Sequence, residues 1–152
     1  MNKMNVLTKE DKSDLETKLF ELKKKRKGLV VKLDEARREG DLKENSAYHE
    51  IKNQLMILED QAGEIEKRLR LSTVVDKING NDQVGLGSRA VLVQGKHEKK
   101  VVLVGAGLGD PLSGKVSIDS PLGKALMGRK KGETVLIEIP KGKVEYKIIE
   151  VK

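Results

Sequence analysis

The 152-residue chain contains no cysteine and no tryptophan, and only 2% of its residues are aromatic. The absence of cysteine excludes disulfide frameworks, thiolate zinc sites and cysteine nucleophiles. Ligand pockets are usually lined by aromatic side chains, so the scarcity of aromatic residues in this chain argues against a proline-binding pocket. With only two histidines, His-based nucleophilic catalysis is also poorly supported.

Long apolar runs are also missing. No stretch approaches the roughly 18 apolar residues of a membrane span, and the N-terminus has no apolar run of signal-peptide length. We therefore expect a cytoplasmic protein with no membrane partner. Lys and Arg number 31 against 24 Asp and Glu, a net charge of +7. This excess favours a polyanionic partner. Because residues of the two charge signs are interspersed, we expect the protein to work close to nucleic acid and not to have nucleic acid as its sole ligand.

Heptad spacing in the N-terminal half predicts an antiparallel coiled-coil hairpin. Facing residues of an antiparallel pair have a constant index sum, and here that sum is 84, which puts the midpoint at residue 42. Arms of about 30 residues would be about 45 Å long. The predicted seam consists of Leu15, Leu19, Leu22, Leu29, Leu33 and Ala36 on the first helix and Tyr48, Ile51, Leu55, Leu58, Ala62, Ile65 and Leu69 on the second.

Local signals predict where these helices begin and end. Thr8 and Asp11 form a Thr-x-x-acid capping box, so the first helix should begin at Thr8 and run to about Glu39. Gly40 would close it in the left-handed conformation. The second helix should cover about residues 43–71.

The periodicity then changes to the alternation of strands, which indicates a second domain. We predict an α+β chain with a coiled-coil hairpin over residues 1–75 and a small, mainly antiparallel sheet domain over 76–152. Ser120 before Pro121 predicts one short helix in the second domain. The predicted strands are Arg89–Val93, Lys100–Val104, Lys115–Ile118, Thr134–Ile139 and Val144–Val151.

Asp41 and Glu44 fall at the predicted reversal of the hairpin. Asp-x-x-Glu before a helix is also a capping box, and spacing alone favours that interpretation. Their exposed position favours a second interpretation, a metal site, since proteins usually contribute one or two carboxylate ligands to a bound Mg²⁺. Such a site would be weak unless a partner supplied the other half, for example an active site holding one metal and a phosphodiester.

Three segments resemble the GreA/GreB family of bacterial transcript cleavage factors: residues 35–49 (EARREGDLKENSAYH), residues 119–128 (DSPLGKALMG) and residues 140–146 (PKGKVEY). The resemblance implies an FKBP-like fold for the second domain. It also implies that Asp119, Ser120 and Pro121 dock at the rim of the secondary channel of bacterial RNA polymerase, where the coiled coil enters.

The resemblance further implies that Asp41 and Glu44 help to hold a second Mg²⁺, shared with the polymerase and not bound by the factor alone. The nascent RNA of a backtracked complex would then be cleaved near its 3′ end. Arg37 and Lys52 match basic positions expected to face the RNA. The polymerase supplies the main machinery, so the factor would not be an enzyme by itself, and we expect a monomer.

Two alternatives remain open at this point. A polymerase-channel inhibitor could share this shape and bind without promoting cleavage. A coiled-coil adaptor or isomerase-like binding module would never meet RNA. The acidic pair argues against the first alternative, and the scarcity of aromatic residues argues against an isomerase pocket.

Overall fold

The computed structural model describes residues 5–40, 44–76 and 82–152. These form two compact units: residues 13–71 are one, and the described part of residues 1–12 joins that of residues 72–152 in the other. The first unit is helical and the second is built on a sheet, so the predicted α+β class is confirmed. The division of the chain at residue 75 stays a prediction. Among the described helices, none combines the length and apolar character needed to cross a membrane.

The helical unit is the predicted hairpin. Helix α1 covers Lys9–Arg37 and α2 covers Ser46–Leu71. Each side chain of the predicted seam is buried or half-buried, whereas most positions between them are exposed. Apolar burial along this seam, and not helix propensity, is what stabilises helices of this composition. The heptad prediction is therefore confirmed along both arms.

Interhelical ion pairs flank the seam. Arg26 occupies a seam position, and its Nε donates to Glu59 Oε1 at 3.0 Å. Lys23 Nζ lies 3.4 Å from Glu66 Oε1. Both pairs are about half exposed, and such pairs contribute little to stability. The Arg26–Glu59 pair agrees with the predicted register, because Glu59 neighbours Leu58, the residue that the index sum places opposite Arg26.

The start of α1 confirms the predicted capping box. The Asp11 amide donates to Thr8 Oγ1 at 3.0 Å, and the Thr8 amide donates to Asp11 Oδ2 at 3.2 Å. Asp11 is only 3% exposed, and the same Oδ2 also accepts from the Gly105 amide at 2.9 Å. Strand β1 (Val6–Thr8) pairs in parallel with β2 (Thr73–Val75). The sequence interpretation missed both this two-stranded sheet and the bond to Gly105.

The five predicted strands are present in one sheet. The strands are β3 (Arg89–Gln94), β4 (His97–Val104), β5 (Lys115–Ser117), β6 (Thr134–Ile139) and β7 (Gly142–Val151). The order in the sheet is β5, β4, β3, β7, β6, and all neighbours are antiparallel except β4 and β5. Strand β4 begins three residues before the predicted start, because Gly95 at φ +60° allows a two-residue turn with Gln94 paired to His97.

The predicted short helix, α3, covers Pro121–Leu126 and contributes Leu126 to the core of the sheet unit. Leu126 is fully buried, as are Leu92, Leu103 and Ile148. Helix α3 lies directly against the chain that follows β5, since a Cβ added to Gly123 would overlap the Ser117 carbonyl oxygen. Only glycine permits this approach.

Two Gly→Ala substitutions in helices should therefore have opposite effects. Gly28 lies in α1, and an added methyl group there would meet no atom within 4 Å, so Gly28→Ala should raise the free energy of unfolding by about 1 kcal/mol. Gly123→Ala should lower it by about 3 kcal/mol through overpacking. Urea unfolding followed by circular dichroism measures both. A tolerated Gly123→Ala would contradict the close packing of α3.

Candidate functional site

The hairpin turn, residues 38–45, joins the two helices. Helix α1 ends at Arg37, two residues before the predicted end, and α2 begins at Ser46, three residues after the predicted start. Gly40 has a positive φ of +146°, which favours glycine, but it lies three residues beyond the end of α1 and not next to it, so the prediction that Gly40 closes the helix is wrong. Asp41, Leu42 and Lys43 lie outside the described residues.

Asn45 is the residue that caps α2. Its Oδ1 accepts from the Tyr48 amide at 3.0 Å, and its carbonyl accepts from the His49 amide at 3.2 Å. These are the bonds of an N-cap residue. The interpretation of Asp41 and Glu44 as the capping box of the second helix is therefore wrong, because Glu44 lies before the cap and not in the first turn.

Glu44 is exposed in the hairpin turn, immediately before Asn45. A solvent-facing carboxylate is an oxygen ligand of the kind that Mg²⁺ prefers, and proteins usually contribute only one or two of them. The donor type thus fits the predicted ion. Within the described ranges, no group of three or more His, Cys, Asp or Glu side chains could hold a metal.

The cations predicted to face RNA are both exposed. Arg37 is the last residue of α1 and Lys52 lies in the second turn of α2. The neighbouring Arg38 donates from Nη2 to Asp34 Oδ2 at 2.9 Å. His49 is exposed too, and its ring contacts the Tyr48 ring edge-on, with centroids 5.4 Å apart. That packing is in keeping with a surface histidine.

The docking segment, residues 119–121, lies between β5 and α3. Asp119 and Pro121 are exposed, with Pro121 as the first residue of α3. Ser120 is half-buried; its hydroxyl donates to the Ser117 carbonyl at 2.7 Å and accepts from the Gly123 amide at 3.0 Å. Ser120 thus shapes the segment as an N-cap, while Asp119 and Pro121 present their side chains to solvent.

Asp119 is held in place by hydrogen bonds from two elements. Its Oδ1 accepts from the Ser117 hydroxyl and from the Gly107 amide, the latter at 3.2 Å. The hydrogen bond from Ser117, followed by that from Gly107, holds the pKa of Asp119 below its usual value of 3.8. The glycine-rich loop at 105–109 thus supports the docking segment through the Gly107 amide.

Sequence reasoning missed Asn45 and Ser117 as parts of these two regions. A signal for Asn45 was available, since Asn directly before an amphipathic helix is a preferred N-cap. It was hidden by the overlapping Asp-x-x-Glu pattern that begins four residues earlier. Ser117 had no such signal, because its bond to Asp119 depends on how β5 meets the following turn.

Removing the Ser117 hydroxyl should raise the pKa of Asp119. We expect a value below 3.8 in the wild type and one nearer 3.8 in Ser117→Ala, measured from the carboxyl carbon shift by NMR. Because the fold favours the ionised form of Asp119, its hydrogen bonds from Ser117 and Gly107 add to the free energy of unfolding at neutral pH. That contribution is lost as the pH falls through the folded-state pKa of Asp119. A pKa at or above 3.8 in the wild type would contradict these bonds.

Two family models of known proteins match almost the whole chain between them. Residues 5–74 match the family model described as "Transcription elongation factor, N-terminal", and residues 79–152 match "Transcription elongation factor, GreA/GreB, C-term". Transcription elongation factor GreA of Caldanaerobacter subterraneus subsp. tengcongensis is 36% identical, over 100% of this chain and 99% of the relative. GreA of Streptococcus gordonii is 38% identical, over 96% and 94%.

Among solved structures, GreA factor homolog 1 (Gfh1) of Thermus thermophilus is 24% identical and covers 97% of both chains, with a TM-score of 0.47. The family models and the full-length relatives confirm the resemblance carried by the three motifs. The chain belongs to the GreA/GreB family of transcription elongation factors.

Proposed function

We propose that this protein binds bacterial RNA polymerase in its secondary channel and stimulates cleavage of nascent RNA near its 3′ end in backtracked complexes. The observation that carries the proposal is the exposed Glu44 carboxylate, placed in the hairpin turn next to a capped helix start. A carboxylate that is neither buried nor used as a helix cap remains available to a partner's active site.

Glu44 and Asp41 would act together as the protein's share of a metal site completed by the polymerase. When bound, a second Mg²⁺ would activate a water molecule and stabilise charge on the scissile phosphate. Arg37 and Lys52 are exposed cations on the two helices near the hairpin turn. They would neutralise phosphates of the extruded RNA and so favour its placement beside the carboxylates.

The polymerase would supply the remaining catalytic groups, so the chain would act as a cofactor of an intrinsic nuclease and not as an enzyme by itself. It would do so as a monomer in the cytoplasm. The docking segment would provide affinity, because Asp119 is exposed and preorganised by Ser117 and Gly107. Preorganisation lowers the ordering cost of binding.

Neutralising the acidic pair should abolish cleavage stimulation but not binding. Asp41→Asn with Glu44→Gln keeps side-chain shape and removes charge, so we expect the cleavage rate to fall by at least about 100-fold with polymerase affinity nearly unchanged. The measurement is release of 3′ fragments from a stalled, backtracked complex.

The matched control is Glu39→Gln with Glu50→Gln, which removes the same charge from exposed acids on either side of the acidic pair. The control should stimulate cleavage as well as the wild type. Full cleavage by the Asp41/Glu44 variant would refute the metal-site proposal. An equal loss of cleavage in the control would also refute it, because the effect would then come from the change in net charge and not from these two carboxylates.

Changing the docking segment should have the converse effect. Asp119→Asn with Pro121→Ala should weaken polymerase binding by about tenfold, a loss of about 1.4 kcal/mol, while the maximal cleavage rate returns at high factor concentration. A matched control is Glu138→Gln with Pro140→Ala at the opposite edge of the sheet, at the end of β6. Unchanged affinity in the Asp119/Pro121 variant would refute the docking assignment.

A further inference from the structure

The side chain of Asn45 joins the end of one helix to the start of the other. Its Nδ2 donates to the Ala36 carbonyl of α1 at 2.6 Å, and its Oδ1 accepts from the Tyr48 amide of α2 at 3.0 Å. The first bond spans nine residues and crosses the whole hairpin turn. One side chain therefore ties together the two helix ends that flank Glu44.

The Ala36 carbonyl is one of the groups that the end of α1 leaves without a regular helical partner. It accepts from the Glu39 amide at 3.2 Å as well as from Asn45. Ala36 and Tyr48 are 6% and 8% exposed, and the index sum of 84 places them opposite each other in the last seam layer. The bond is thus partly shielded from water, where hydrogen bonds are electrostatically stronger.

Asparagine can make both bonds, whereas aspartate or glycine in its place would keep at most the cap. Aspartate caps a helix as well as asparagine does, and glycine costs only a few tenths of a kcal/mol there. An ionised aspartate has no donor for the Ala36 carbonyl, and glycine has no side chain at all. The capping requirement alone therefore does not explain this residue.

We propose that Asn45 is a positioning residue that sets the orientation of the Glu44 carboxylate. Glu44 precedes Asn45 directly, so the backbone that carries its side chain is held from both helices. The proposal rests on the proposed function, in which Glu44 serves the polymerase active site. Misplacing a reacting or ligating group by about 1 Å can cost about 100-fold in rate, so this restraint matters to cleavage.

The hydrogen bond itself can be tested in the free protein. In NMR spectra of the wild type, one side-chain amide proton of Asn45 should exchange with solvent more slowly than those of Asn53, an exposed asparagine of α2. Equal, fast exchange at both asparagines would overturn the proposal before any activity is measured.

The functional test uses two variants that remain acceptable N-cap residues and lose the side-chain donor, Asn45→Gly and Asn45→Asp. Both should lower the maximal cleavage rate at saturating factor by about tenfold or more. The factor concentration at half-maximal rate should stay unchanged, and the Mg²⁺ concentration at half-maximal rate should rise several-fold. Asn53→Ser is the matched control and should resemble the wild type in all three quantities.

The outcomes distinguish a failure of the positioning role of Asn45 from a failure of the proposed function. Wild-type rates and Mg²⁺ dependence in both Asn45 variants would overturn the positioning role. So would a loss that appears only as a lower melting temperature or weaker polymerase binding, because that would show a purely structural role. If the wild type itself failed to stimulate cleavage, the proposed function would fail and the positioning role with it, whatever the NMR result.

Discussion

The seam between α1 and α2 is the constraint on which the hairpin depends. Its apolar side chains specify one register, and that register decides which residues fall in the hairpin turn. A slip of one heptad would take Asn45 away from Ala36 and place the charged Arg26 opposite an isoleucine. The bond between Arg26 and Glu59 matches the register that the apolar seam specifies. The position of Glu44 is therefore a consequence of packing further along the helices.

The two regions that are proposed to meet the polymerase share one local arrangement. In each, an exposed carboxylate stands beside a residue whose side chain caps a helix: Glu44 beside Asn45, and Asp119 beside Ser120. The cap fixes the backbone, and the carboxylate remains at the surface. Such an arrangement would present a carboxylate on a fixed stretch of backbone to a partner protein, which lowers the ordering cost of binding.

Much of the fold was predictable because its signals are local or periodic. Heptads specify the seam, alternation specifies the five strands, and Ser-Pro specifies the start of α3. What escaped prediction depends on contacts between distant residues: β1 with β2, and Asp11 with Gly105, 94 positions apart. Asn45 escaped for another reason. Two overlapping capping patterns compete at the start of α2, and the bond to Ala36, which the sequence does not reveal, adds to the local bonds of the later one.

The proposed function places the carboxylates of the hairpin turn inside a polymerase. The most direct measurement adds the wild-type protein to a stalled, backtracked bacterial RNA polymerase in Mg²⁺ buffer and follows the nascent RNA. We expect release of short 3′ fragments and renewed extension of the shortened transcript. Binding without shortening would refute the proposed function and favour a channel inhibitor, and absence of binding would refute it and favour an adaptor.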